Sequence, residues 1–146
     1  MLTVCTSSLQ GIALDWAVAK ALELPIVLDP MGFNKDAPDC AQSGFWVWED
    51  DYKLGRRMLI GIDFSPSSHW YQGGEIFEQF QIGVVPSQGE WSAHLNNGEC
   101  RQRGATVLIA AMRSFVMSSL GERLEIPKEL VSKQLHTNSQ QEQDNA

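Results

Sequence analysis

The chain has 146 residues, 43% of them hydrophobic and 20% charged, with a formal net charge of −7. That length and balance describe one globular domain and exclude a disordered chain. The acidic surplus argues against a nucleic-acid binder, which needs a basic surface to displace counterions from phosphate.

The opening MLTVCTSSLQ lacks a basic region followed by an apolar run, so no export signal is read there. Residues 9–24, LQGIALDWAVAKALEL, are dominated by Ala and Leu and end at Pro25, which predicts a helix. Its charged residues are Asp15, Lys20 and Glu23, so most of its circumference is apolar and must be buried on more than one side. Residues 28–44 are punctuated by Pro, Gly, Asp and Asn and read as a long surface loop. With the EDD that follows, the 29–51 stretch is acidic. Residues 45–48 form a short aromatic strand, and 57–64, RMLIGIDF, a buried one.

Residues 64–78, FSPSSHWYQGGEIFE, mix hydroxyls, paired glycines, an imidazole, an indole and carboxylates, and are read as a loop. The partial alternation of 76–85, IFEQFQIGVV, predicts a strand, and EWSAHL beyond the PSQG turn completes a hairpin with it. Residues 104–121 give a second apolar helix, with Thr106 as N-cap and Gly121 just past its end. A short helix is expected over 127–135, then a disordered polar tail, 136–146. The expected fold is α+β: a small antiparallel sheet packed against two long apolar helices, one near each end. A single domain over 1–135 carries a long acidic loop at 26–44.

The candidate ligand-binding residues are Ser65, Ser67, Ser68, His69, Trp70, Gln72, Gly73, Gly74, Glu75 and Arg113. Hydroxyls donate and accept, paired glycines let a ligand approach the backbone, and an indole offers a stacking face. Glu75 suits ribose hydroxyls, so the set suits a small polar, nucleotide-like ligand. The plain alternative is that the Ser-Pro-Ser-Ser and Gly-Gly runs are turn residues and Trp70 fills the core. No P-loop or dinucleotide fingerprint occurs. Arg113 sits in the body of the second apolar helix and needs a partner, because an unpaired buried charge is costly. Asp15 is the structural candidate, and a ligand phosphate or carboxylate the functional one.

Three segments, LQGIALDWAVAKAL, FSPSSHWYQGGEIFE and GATVLIAAMRSFVMSSLGERLEIPKEL, together resemble the NinX-like phage proteins. The matching positions include Leu9, Gly11, the 13–19 run, Ser65 to Ser68, Trp70, Gln72 to Gly74, and Leu108 to Arg113. The chain departs from the family pattern at His69, where the family has aspartate, and at Glu75, where it has proline. The resemblance implies a small accessory protein of a tailed phage or prophage, acting in a bacterial cytoplasm. It does not supply an activity.

Three functional readings follow. The first is a non-catalytic binder of a nucleotide-like ligand, sequestering a host immune signal. The second is an interaction module that modulates a host or phage protein through the acidic 29–51 stretch. The third is a small hydrolase or transferase using His69, Glu75 or Glu78. Cys5, Cys40 and Cys100 contain no CxxC pair, so neither a disulfide framework nor a zinc site is expected. No cofactor, metal, nucleic acid or membrane span is expected. A homo-oligomer is, because two apolar helices and five tryptophans exceed what one small core buries.

Overall fold

The computed structural model describes residues 1–29, 44–48, 57–95 and 98–131. Most of the expected acidic loop and the polar tail lie outside these residues. The described part is α+β, with three small antiparallel sheets rather than the one expected. Strand β1 (Leu2–Cys5) pairs with β8 (Arg123–Ile126), segments far apart in sequence. Strands β2 (Ile26–Asp29), β3 (Gly44–Trp48) and β4 (Arg57–Leu59) make the second sheet. Strands β5 (Gly83–Ser87), β6 (Glu90–Leu95) and β7 (Glu99–Gly104) form a meander, irregular between Ala93 and Leu95. The segment from Ile26 to Asp29, assigned from its flanking turn residues to a loop, is therefore a strand. Its Ile-Val-Leu run pairs with Val47, Trp46 and Phe45.

Both apolar helices are present but shorter than expected, and a third stands between them. Helix α1 spans Gly11–Ala21 and buries every residue from Ala13 to Ala19. Helix α3 spans Val107–Leu120 and packs against α1, β6 and β7. Small residues explain that double-sided burial: Ala13, Ala17, Ala110 and Ala111 are wholly buried and let the backbones come close. Leu14, Val18, Met112 and Phe115 fill the space between. At the start of α3 the Thr106 hydroxyl accepts the Ile109 N–H at 3.1 Å, as expected of an N-cap. At its end Gly121 has φ of 91°, a conformation that favours glycine, and its N–H reaches the Met117 carbonyl.

The third helix corrects the reading of 64–85. Helix α2 covers Trp70–Gln79, so the second half of the expected loop and the start of the expected strand are helical. Gly73, Ile76 and Phe77 recur at helical spacing and face inward, and Phe80, the half-open C-cap residue, meets the Phe115 ring at 4.5 Å between centroids. Residues 76 to 80 fit both a period-2 and a helical template, and packing on α3 selects the helix. Among the described residues, no helix is long and apolar enough to cross a membrane.

Candidate functional site

The site begins in the turn that feeds α2. The Ser65 carbonyl accepts the N–H groups of Ser68 and His69 at 3.0 and 2.9 Å, and the Ser65 hydroxyl bonds His69 Nδ1. The turn is fixed to α1 through Asp15, whose carboxylate accepts the Ser67 N–H at 3.0 Å. Burial pushes the Asp15 carboxyl up to about 7, although the bonds from Ser67 pull the other way. The expected structural pair between Asp15 and Arg113 is therefore not made: Ser67 holds Asp15. The reason is geometric, since the turn brings a backbone donor directly onto the buried carboxylate.

Gln72 braces the same turn from the first coil of α2. Its Oε1 accepts the Ser65 N–H at 2.7 Å, and its Nε2 donates to the Asp63 carbonyl at 2.7 Å and to the Tyr71 hydroxyl at 3.1 Å. The paired glycines divide in role. A Cβ on Gly73 would lie 2.3 Å from the Pro66 carbonyl oxygen and 2.7 Å from Leu108 Cδ2, so glycine is what lets α2 seat against the turn and α3. A Cβ on Gly74 would meet only Trp70 Cε3, at 3.9 Å.

These supports leave a groove of about 300 Å³ between α2 and the chain leaving α1. Leu22, Leu24, Met58, Phe64 and Ile76 form its apolar base, and Tyr71, Gln72, Glu75 and Gln79 its polar edge. The edge residues recur at three- and four-residue intervals, one face of the helix. Tyr71 on this edge is 67% exposed and Trp70 beside it 59%, so Trp70 does not fill the core.

The predicted residues therefore fall into five positions. Gln72 and Glu75 line the groove; Ser68, His69 and Trp70 are exposed at the adjoining N-terminus of α2. Ser65 and Ser67 are buried beneath the turn, and Gly73 is buried against Pro66. Gly74 is half-buried on α2 with open space around it. Arg113 is not among the groove's lining residues. Its Nε donates to the Leu9 carbonyl at 2.7 Å and its Nη1 to the Arg103 carbonyl at 2.8 Å. Burial lowers its pKa, and the Glu90 carboxylate opposes that shift.

Tyr71 and Gln79 were outside the predicted set, as was the apolar base. Their spacing from Gln72 and Glu75 would have revealed the first two had 70–79 been read as helix. The base comes from four separate segments and left no local signal. Among the described residues, no three His, Cys, Asp or Glu side chains gather as a metal site requires.

A search of curated proteins found no match to the chain. The protein-family model described as Bacteriophage P22, NinX matches residues 5–119. That match runs from the end of β1 into the last turn of α3, and takes in the turn, α2 and Arg113. The chain belongs to this NinX family of phage proteins.

Proposed function

We propose that this phage protein is a non-catalytic binder that holds a small, planar, polar ligand of nucleotide-like chemistry in the α2 groove. The observation that carries the reading is the exposed Tyr71 ring in the lining of a groove whose apolar base is edged by Gln72, Glu75 and Gln79. A flat ring stacks on an aromatic face whatever its exact identity. The Gln79 amide and the Glu75 carboxylate then read its polar edge and ribose hydroxyls, while Gln72 holds the turn. Glu75 is the charged residue in the lining, so the groove takes the base-and-sugar end and leaves any phosphate outside. In a phage setting, such a binder acts by withdrawing a host nucleotide signal.

Native mass spectrometry of protein expressed in bacteria, before and after denaturation, reads co-purified ligand and oligomeric state together. Calorimetry with adenosine, its monophosphate and cyclic nucleotides then measures affinity. Tyr71→Ala and Glu75→Gln are each expected to weaken binding by about tenfold or more, the weight of one stacked base. If no nucleoside or nucleotide binds, or both variants bind as the parent does, the reading fails.

A second reading rests on Ile62, Trp70 and Tyr71, three large side chains each more than half exposed near one turn. Such a patch suits a protein partner. Loss of a captured partner on Ile62→Asp with Trp70→Ala, with nucleotide binding absent, would favour it.

A further inference from the structure

A second and larger cavity, about 440 Å³, shares no lining residue with the α2 groove. Its floor is built by two regular elements. Trp16 and Lys20 lie four residues apart, on one face of α1. Ile26 and Leu28 alternate onto one face of β2, and Leu28 sits directly opposite Phe45 of β3. Trp16 and Phe45 are 4% and 9% exposed and Leu28 is 44% exposed, so the floor runs from the core out to the surface.

The rim has the opposite charge to the protein as a whole. The described residues contain two lysines, Lys20 and Lys128, and both line this cavity. Among the lining side chains Glu129 leaves two ammonium groups against one carboxylate, on a chain of net charge −7. The indole Nε1 of Trp16 is buried without a hydrogen-bond partner among the described residues.

From this apolar floor and its rim of two ammonium groups we infer that the cavity binds a small amphipathic anion, an aliphatic or aromatic monocarboxylic acid. The hydrocarbon body lies on Trp16, Phe45 and Ile26, and the carboxylate lies between Lys20 and Lys128. The volume is in the range of small-molecule sites. The site is independent of the α2 groove.

Calorimetry of the full chain with octanoate tests this, with octylamine as a cation carrying the same apolar body. Octanoate is expected to bind saturably, one per chain, and at least about tenfold more tightly than octylamine. The double variant Lys20→Gln, Lys128→Gln is expected to weaken octanoate by about tenfold, with an unchanged melting temperature because both side chains are exposed. Tyr71→Ala is expected to leave octanoate binding intact. Equal binding of octanoate and octylamine, an unmoved affinity in the double variant, or no saturation by about 10 mM would overturn the assignment.

Discussion

Asp15 and Ser67 are 52 positions apart in the chain, and a single 3.0 Å hydrogen bond from the Ser67 N–H to the Asp15 carboxylate ties α1 to the turn that launches α2. The bond fixes where Tyr71, Gln72 and Glu75 stand relative to Leu22 and Leu24. It also puts an ionisable group in the core, where its charged form is disfavoured.

The first prediction concerns pH. With a folded-state pKa near 7 against an ordinary 3.8, the folded chain holds a proton that the unfolded chain releases. Stability from this group is therefore full below the ordinary value and falls as pH rises towards and through 7. The Asp15→Asn variant keeps an acceptor for Ser67 and removes the titration. Its melting temperature, followed by circular dichroism, should lose the decline that the parent shows between about pH 4 and 7. A parent and variant with parallel profiles would place the titrating group elsewhere.

The paired glycines give a sharper contrast. Gly73→Ala drives a Cβ into the Pro66 carbonyl oxygen and should destabilise the fold by roughly 1–3 kcal/mol. Gly74→Ala meets open space within a helix and should be neutral or stabilising, by about 0.5–1 kcal/mol. Urea unfolding of the two single variants separates them. Equal effects would mean that α2 is not seated as described.

Arg113 acts on backbone carbonyls, and the Leu9 residue it reaches is wholly buried. Replacing it with leucine leaves that carbonyl without its charged donor. The expected loss is roughly 2–4 kcal/mol in chemical unfolding. Arg113→Lys should recover only part of it, because one ammonium does not reproduce a fork that reaches two separated carbonyls. Full recovery would argue against the two-carbonyl geometry.

Gln72 links three groups of the turn, so Gln72→Ala should cost about 1–2 kcal/mol and also weaken any groove ligand. Tyr71→Ala, at a mostly exposed position, should stay within about 0.5 kcal/mol of the parent while losing the ligand. Matched losses of stability in both variants would mean that Tyr71 supports the turn rather than the groove.

Some of this was legible in the amino-acid order. The two Ala- and Leu-rich helices announce themselves because helix propensity and an apolar circumference agree over more than ten residues each. Thr106, Gly121 and the hairpin around PSQG were readable because caps and turns are set by local backbone chemistry. The three family motifs were equally visible, and the NinX match covers the first two and the third as far as residue 119.

Tertiary structure decided the rest. Whether 70–79 becomes loop, strand or helix depends on what covers Ile76, Phe77 and Phe80, and the covering surface is α3, distant in sequence. The partner of Asp15 was open because a buried carboxylate takes whichever donor the fold delivers, here a backbone N–H in place of a guanidinium. Arg113 likewise met two carbonyls that carry no side-chain signature. Both cavities are bounded by segments joined only through packing, so their shape and charge exist in the folded chain alone.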